Sequence, residues 1–326
     1  MRSTFDTGLR IPAKVYLFKA LHPLLRRTGR YLLLARQSRR FFLMPGDYVS
    51  SYTAQFGLFE AEEVEVSRRL CKALFGSAQL AASTMIDVGA HIGTYSTALG
   101  AKFGRIVAID AVEAFAHVVR ANLRWNGLQD KARVLHCAVA DHEGHADIVV
   151  ERSLNMGHSR IAAEAEPAAG EAQTRERVAV STLDTIVREN SADQRVRFIK
   201  IDVEGHEVAA LRGALGVLAA HRPLVLCEID RGNLRAVKEC LGTLPAPYDV
   251  WHVARGTPGR HIVRRVWDVV TGGQPVVMTR LEASDNPAHM SCVLLIPREY
   301  VPRIASAFSK PTRIDPSLCI QVPRLR

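Results

Sequence analysis

The sequence lacks several features that would assign a protein to a common class at once. Its six cysteines are scattered and form no C-x-x-C pair and no Cys/His spacing typical of zinc sites. No apolar run approaches the roughly 18 residues needed to span a membrane, and no secretory signal is recognisable at the N-terminus. These absences argue against a zinc protein, a membrane-spanning protein and a secreted disulfide-stabilised protein. We therefore expect buried free thiols and a cytoplasmic location.

The net charge of +10 is unevenly distributed. Residues 1–50 and 231–326 are basic, whereas 51–230 is mildly acidic. The basic ends could contact phosphate, an anionic glycan or a membrane surface, or could be solvated without a dedicated partner. Residues 11–37 place apolar side chains at helical spacing between basic ones, with a break at Pro23. This pattern predicts a helix that either packs on the protein or makes peripheral contact with a membrane.

From residue 84 onward, short continuous apolar segments alternate with segments of helical periodicity. Predicted strands cover 85–88, 105–109, 133–137, 196–201, 223–229, 248–253 and 292–296, and a strand pair covers 146–151 and 177–182. Predicted helices cover 60–75, the segment after the first strand to about 101, 113–126, 205–220 and 232–242. Such alternation is typical of a doubly wound α/β fold with a mostly parallel, seven-stranded, Rossmann-like sheet.

This pattern also suggests how the chain is divided. We divide it into a basic N-terminal helical extension (1–80), an α/β domain (81–300) with 255–290 as a candidate lid, and a C-terminal tail (301–326). The candidate lid is a long connection rich in Arg, Gly and Pro, and long connections beside a catalytic edge often cover a substrate.

A glycine turn follows the first strand of the α/β domain and includes Asp87, Gly89, His91 and Gly93. Glycines allow close backbone approach to a ligand, and the next helix offers free N–H groups. A dinucleotide fingerprint aligned on Gly89 would need glycines where Asp87 and Ile92 stand, which disfavours a nicotinamide-dependent oxidoreductase. Asp87 would repel a pyrophosphate but suits a ligand with positive charge. S-adenosylmethionine carries a sulfonium and an ammonium, so these four residues are candidate contacts for this cofactor.

Two further segments are candidate cofactor contacts. Asp110 ends the second strand, where its carboxylate could accept hydrogen bonds from both ribose hydroxyls or, alternatively, cap the next helix. Ala138 and Asp141 follow the third strand, at the place where an adenine ring commonly lies, although Asp141 could instead cap a turn.

Four motifs together resemble one family. DVGAHIGTYS (87–96) is similar to the first motif of class I methyltransferases, and VSTLDTIV (180–187), FIKIDVEGHEVAALRGA (198–214) and VLCEI (225–229) closely resemble the FkbM family. The resemblance covers roughly residues 50–230. It implies S-adenosylmethionine-dependent methyl transfer, more firmly to oxygen than to any particular acceptor. The chain departs from the family pattern at His91, where Asn is usual, and at Asp110-Ala111, where Glu-Pro is usual.

Acidic residues collect at the predicted carboxyl edge of the sheet, where doubly wound folds bind their ligands. Asp202 or Glu204 is our candidate general base, and Glu228 is a further catalytic candidate. Lys200 lies on the same face of its strand as Asp202, so it either acts in catalysis or pairs with that carboxylate. His206 is a weaker candidate base at a helix start. A divalent cation between Asp202 and Glu228 is an alternative, but no clear third ligand is visible, so we predict no metal.

The methyl acceptor is less well defined than the donor. The segment 155–159 (NMGHS) resembles a family loop near the active site, although an ordinary turn explains it equally well. We expect a hydroxyl on a sugar, polysaccharide or secondary metabolite. N-methylation and RNA methylation are alternatives. The acidic core, the 6% aromatic content and the absence of an Asn-Pro-Pro-Tyr-type base pocket argue against nucleic acid.

Overall fold

A computed structural model describes most of the chain. The described residues are 4–11, 41–151, 159–161, 173–191, 194–229, 231–255, 274–281 and 292–308. Several predictions lie outside these residues: the helix over 11–37 except for its first residue, most of the 155–159 loop, most of the 255–290 candidate lid and most of the C-terminal tail.

Thirteen strands and nine α-helices occur in the described part of the chain. The strands are β1 (Thr4–Ile11), β2 (Ser83–Val88), β3 (Arg105–Asp110), β4 (Ala132–His136), β5 (Ala138–Val139), β6 (Gly144–Glu151), β7 (Arg160–Ile161), β8 (Gln173–Ser181), β9 (Arg195–Ile201), β10 (Leu224–Glu228), β11 (Tyr248–Arg255), β12 (Gln274–Arg280) and β13 (Cys292–Pro297). The helices are α1 (Tyr48–Phe56), α2 (Ala61–Ala81), α3 (Thr94–Ala98), α4 (Glu113–Trp125), α5 (Leu183–Asn190), α6 (Glu207–Arg212), α7 (Leu215–His221), α8 (Leu234–Gly242) and α9 (Ile304–Ala307).

The central sheet has nine strands in the order β1-β12-β11-β13-β10-β9-β2-β3-β4. The five strands from β10 to β4 are parallel neighbours, and β13 inserts antiparallel between β10 and β11. The seven predicted strands are present in this order, which confirms the doubly wound α/β fold. Strand order reverses between β2 and β9, so the ligand-binding crevice of this fold is expected at their carboxyl ends.

The sheet is buried on both faces, as its continuous apolar strands predict. Every residue of β2 and of β13 is buried. One face packs against α2, which contributes Val64, Leu70 and Leu74 to a hydrophobic cluster, and the other face packs against α5 to α8. Glu62 and Glu63 lie in the first turn of α2, where the helix dipole stabilises their negative charge.

The connection between β4 and α5 forms a second, smaller sheet in the order β5-β8-β6-β7. Strands β6 and β8 are the predicted strand pair, and they are antiparallel with Gly144 opposite Val180. Ile148, Val150 and Val178 bury an apolar cluster of their own against Phe115 at the start of α4. This small sheet therefore packs over the N-terminal end of α4, close in sequence to the end of β3.

Some elements differ from the prediction. The single helix expected over 205–220 is two helices, α6 and α7, because the chain turns at Gly213. A Cβ on Gly213 would lie 2.0 Å from the carbonyl oxygen of Ala140, so the chains approach too closely there for any side chain. The strands β1 and β12 were not predicted, and both join the antiparallel end of the sheet. The division into extension, domain and tail stays a prediction.

Candidate active site

A cavity of about 330 Å³ opens at the carboxyl ends of β2, β3, β9 and β10. This volume is within the usual range for small-molecule sites. Nine of the twelve predicted site residues line it, namely Gly89, His91, Asp110, Ala138, Lys200, Asp202, Glu204, His206 and Glu228. The other three, Asp87, Gly93 and Asp141, do not. The cavity thus lies at the reversal of strand order, where the fold places a ligand.

Gly89 lies where two strand ends meet. Its backbone has a φ of +70°, and a Cβ at this position would lie 1.7 Å from the backbone oxygen of Asp202. The amide of Asp202 also donates to the carbonyl of Val88 at 3.1 Å. Glycine is therefore required here both for its conformation and for the close approach of the β9 end. The result is an open, backbone-lined wall of the cavity.

Asp87 has a different role from the one predicted. Its side chain is buried behind the glycine turn, where Oδ2 accepts hydrogen bonds from the amide of Ser96 at 2.8 Å and from its hydroxyl at 2.6 Å. Burial raises the pKa of Asp87, while Lys200 and the Ser96 bonds oppose the rise. Asp87 thus holds the start of α3 against the end of β2. Its contacts are those of a positioning residue rather than of a residue facing the cavity.

Asp110 faces the cavity as predicted. Its Oδ1 accepts from the amide of Val112 at 2.9 Å and its Oδ2 from the amide of His91 at 2.8 Å. Burial raises the pKa of Asp110 to about 6, against the lowering effect of these backbone bonds. Each carboxylate oxygen keeps further acceptor capacity, since an ionised carboxylate accepts about four hydrogen bonds. Asp110 can therefore accept two neighbouring hydroxyls while its backbone contacts orient it.

His91 has a left-handed backbone, with φ of 55°. Its ring lies over Phe115, with centroids 4.1 Å apart, and its Nε2 is 3.5 Å from Oδ1 of Asp47. Burial alone would raise the pKa of Asp47, but a hydrogen bond and the charge of His91 lower it overall. Asp47 also caps α1 by accepting from the amide of Ser50 at 2.7 Å. His91 therefore connects the glycine turn to α1.

Lys200 is the central cation of the cavity. Its ammonium donates to the carbonyl of Gly89 at 2.6 Å and lies 3.0 Å from Oδ2 of Asp202, which confirms the geometry of the predicted pair. Burial would lower the pKa of Lys200, but the charges of Asp202, Asp87 and Glu60 raise it overall. Lys200 is consequently charged, and it fixes both the glycine turn and the Asp202 carboxylate.

Asp202 and Glu228 form a carboxyl pair with opposite tendencies. Burial would raise the pKa of Asp202, but the charge of Lys200 and hydrogen bonds from Lys200 and Glu228 lower it overall. Burial, followed by the charges of Asp202 and Glu60, raises the pKa of Glu228 to about 10. At neutral pH, Glu228 is therefore protonated and donates to an ionised Asp202.

The loop after β9 supplies Glu204 and His206. Glu204 is exposed and has a left-handed backbone with φ of 49°. His206 is half-buried and precedes α6. Oε1 of Glu207 accepts from the amides of Gly205 at 2.9 Å and Val203 at 3.3 Å, which closes the turn. The turn therefore presents Glu204 and His206 to the cavity while Glu207 supports the backbone.

The remaining predicted cofactor residues have distinct positions. Ala138, in β5, lines the cavity, as does Ser159, the described end of the 155–159 loop. Gly93 precedes α3 with φ of 80°, so its role is in the turn. Asp141 is exposed at the surface, and its Oδ1 lies 3.0 Å from Nδ1 of His142. Asp141 therefore belongs to a surface turn, which is the alternative considered for it from the sequence.

Sequence reasoning missed the part of the cavity that comes from outside the α/β units. Tyr48, Phe59 and Glu60 line it from α1 and the start of α2, and Tyr95 lines it from α3. The aromatic rings of Tyr48 and Phe59 meet edge to face, with centroids 6.1 Å apart. The left-handed backbone of Glu60 cannot be read from the sequence, and its acidic side chain resembled an ordinary first-turn charge.

Within the described ranges, no group of three or more His, Cys, Asp or Glu side chains is arranged to bind a metal ion. No helix in the same ranges is both long and apolar enough to cross a membrane.

The fold and the cavity at its strand reversal define a Rossmann-like α/β domain with a ligand site at the carboxyl ends of its parallel strands. Residues 87–242 match the family model described as the methyltransferase FkbM domain. This match confirms the family resemblance drawn from the motifs of the sequence.

Comparison with solved structures adds low-identity likenesses. Methyltransferase FkbM from Methylobacillus flagellatus KT is 19% identical, with 81% of this chain and 60% of that chain covered and a TM-score of 0.40. Cofactor-bound Rv0187 from MTB is 16% identical over 70% of this chain and 82% of that one, with a TM-score of 0.37. An O-methyltransferase from Bacillus cereus in complex with SAH is 16% identical, covering 68% and 89%, with a TM-score of 0.34. No curated protein matches the chain.

Proposed function

We propose that this protein is an S-adenosylmethionine-dependent O-methyltransferase that acts on a hydroxyl of a sugar, polysaccharide or secondary metabolite. The observation that carries the proposal is one cavity that combines a backbone-lined glycine turn, the Asp110 carboxylate and the Lys200–Asp202 pair. The family of the domain supports methyl transfer. The cytoplasm as its location, and the basic N-terminal segment as a membrane contact, belong to the same proposal.

The residues of the cavity suit this cofactor. Gly89 lines the cavity with its backbone, and its missing side chain lets the end of β9 approach the turn closely. Asp110 has acceptor capacity for a ribose diol beside the glycine turn, and Ala138 offers a small apolar contact for a base. At neutral pH the ionised carboxylates of Asp110 and Asp202 outnumber the cation Lys200 in the cavity, which favours a ligand with positive charge. When bound, S-adenosylmethionine supplies an electrophilic methyl group on a sulfonium.

The chain's own residues would supply position and electrostatics. Lys200 holds Asp202 in one orientation, and the protonated Glu228 donates to the same carboxylate, so this end of the cavity is rigid and polar. Tyr48 and Phe59 cover the cavity with aromatic faces that can pack against a sugar ring or another flat acceptor while excluding water. Positioning of the acceptor oxygen near the methyl is worth several kcal/mol of the barrier, roughly 7–11 in favourable cases.

Calorimetric titration tests the donor. We expect the purified protein to bind S-adenosylmethionine and S-adenosylhomocysteine but not NAD. Asp110→Asn should weaken both by about tenfold or more, since an amide replaces one acceptor oxygen with a donor. Asp130→Asn is the matched control, because Asp130 is exposed on the surface, and it should change nothing. Binding of NAD alone would overturn the proposal.

Methyl transfer to a panel of acceptors tests whether the methylated atom is an oxygen. Protein supplied with methyl-labelled donor should transfer the label to sugars, polysaccharides or hydroxylated metabolites. The label should resist alkaline hydrolysis, as an ether does and an ester does not. Label found only in amines or RNA would replace O-methylation by one of the alternatives.

A further inference from the structure

The side chain of Glu60 is directed towards Tyr95 and does not cap the helix that follows it. Glu60 is the residue that precedes α2, with φ of 53° and ψ of 38°. Short polar side chains such as Asp or Ser at this position commonly accept from an amide of the first turn. Glu60 makes no such capping bond, and its Oε2 accepts instead from the hydroxyl of Tyr95 at 2.8 Å. A left-handed backbone is unfavourable for a residue other than glycine, and such residues cluster at functional sites.

The charges around Glu60 come from five elements. The groups that interact with it are Glu62 of α2, Tyr95 of α3, Lys200 and Asp202 at the β9 end, Glu228 of β10 and Cys292 of β13. Burial, together with the charge of Asp202, raises the pKa of Glu60 to about 7, against the opposing effects of Lys200 and the Tyr95 bond. Glu60 can therefore both hold and release a proton at neutral pH, which is the requirement for a general base.

The other acids at this end of the cavity are less suited to that task. Asp202 is engaged by Lys200 and by a hydrogen bond from Glu228, and its pKa is lowered. Glu228 already carries a proton at neutral pH. Glu204 is exposed to solvent. Carboxyl groups whose environments separate their pKa values mark different roles. Glu60 lines the cavity and is held by the Tyr95 hydroxyl, so it is the acid best placed to accept a proton there.

We propose that Glu60 is the general base of the reaction, oriented by Tyr95. The inference rests on the proposed function above. In the step, the acceptor oxygen bonds to the methyl carbon as the carbon–sulfur bond breaks, with its electron pair remaining on sulfur, and the hydroxyl proton passes to the Glu60 carboxylate. The cationic sulfonium, the neutral alcohol and the anionic Glu60 carboxylate thus become a neutral thioether, a methyl ether and a protonated Glu60. This requires Glu60 to face the methyl-bearing charge.

Two ligands that differ in this charge test the geometry. S-adenosylmethionine carries the sulfonium and S-adenosylhomocysteine does not. Protein groups that contact only the parts shared by both ligands affect both affinities equally, so their effects cancel in the ratio of the two affinities. A positive charge that lowers the Glu60 pKa by about one unit should raise the affinity ratio about fivefold between roughly pH 6 and pH 8. The affinity of the cationic ligand rises with pH because Glu60 ionises above its pKa of about 7. Calorimetry on the full chain measures both ligands.

Three variants decide the origin of the rise. In Glu60→Gln the ratio should be flat with pH, while unchanged S-adenosylhomocysteine affinity reports an intact fold. In Glu239→Gln, an exposed glutamate of α8 paired with Arg235, the rise should persist. In Tyr95→Phe the midpoint should move to higher pH, since the lost hydrogen bond had stabilised the ionised Glu60.

The outcomes separate this inference from the proposed function. A ratio that is flat in the unchanged protein overturns the role of Glu60, as expected if it contacted the shared ammonium instead. A rise that survives Glu60→Gln also overturns it, since another group of the same cavity would then be the one that ionises. If Glu60→Gln does not fold, an unmoved midpoint in Tyr95→Phe overturns it. Failure of the unchanged protein to bind either ligand overturns the proposed function itself.

Discussion

Replacement of Gly89 by alanine tests the close approach on which the cavity depends. Two costs add at this position. A φ of +70° is unfavourable for alanine by about 1–2 kcal/mol. The new Cβ would also lie 1.7 Å from the backbone oxygen of Asp202. Relief of that overlap requires the β9 end to move, at a further cost of about 1–3 kcal/mol. We expect a total loss of about 2–5 kcal/mol in the free energy of unfolding.

Gly127→Ala provides a matched control for the conformational cost alone. Gly127 has nearly the same φ, +68°, but no atom lies within 4 Å of a Cβ built there. Its replacement should therefore cost only about 1–2 kcal/mol. Denaturant unfolding followed by circular dichroism measures both variants. Calorimetry should show S-adenosylhomocysteine binding lost in Gly89→Ala and retained in Gly127→Ala. Equal losses of stability in the two variants would refute the steric argument.

Other predictions concern the polar groups of the site. Ser96→Ala should destabilise the fold by about 1–3 kcal/mol, more at high pH, where Asp87 is ionised, than at low pH, since the lost hydroxyl had stabilised the ionised form of this buried carboxyl group; a loss independent of pH contradicts this. Lys200→Met should lower the free energy of unfolding by about 3–5 kcal/mol, because it leaves Asp202 uncompensated, and a thermal midpoint equal to that of the unchanged protein would disprove it. S-adenosylhomocysteine affinity should fall as the pH drops below about 6, where Asp110 takes up a proton, and this dependence should vanish in Asp110→Asn. Titrations at several pH values check it.

The sequence predicted those features of the molecule whose geometry is set within a few consecutive residues. Continuous apolar strands fixed the parallel sheet, because burial on both faces leaves no alternation. The spacing of Lys200 and Asp202 predicted that they share a face, and they pair at 3.0 Å. The position of Asp110 after β3 predicted its place at the cavity. In each case the relevant geometry is set within one strand and its following turn.

Other features depend on contacts between distant segments. The sequence places Asp87 near the end of its strand but does not show where its carboxylate is directed. Only the hydrogen bond from Ser96 in α3 shows that the carboxylate is directed away from the cavity. The strand β12 lies within a polar, Gly-rich connection and is stabilised by pairing with β1 and β11. Strand propensity alone is weak evidence for such elements, since pairing and burial decide them.

The cavity combines residues from inside and outside the matched domain, and this bears on specificity. Residues 87–242 supply the glycine turn, Asp110, Lys200 and Asp202. Tyr48, Phe59 and Glu60 lie before that segment, in α1 and just ahead of α2, and also line the cavity.

A wall built by a separate segment can change without disturbing the strand ends that position the donor. Exchange of Tyr48 and Phe59 for smaller apolar residues should therefore alter which acceptors are methylated while S-adenosylhomocysteine affinity stays within about twofold, a change below 0.5 kcal/mol. Acceptor profiling alongside calorimetry separates the two effects. Loss of S-adenosylhomocysteine binding in such a variant would mean that the donor, and not the acceptor, packs against these rings.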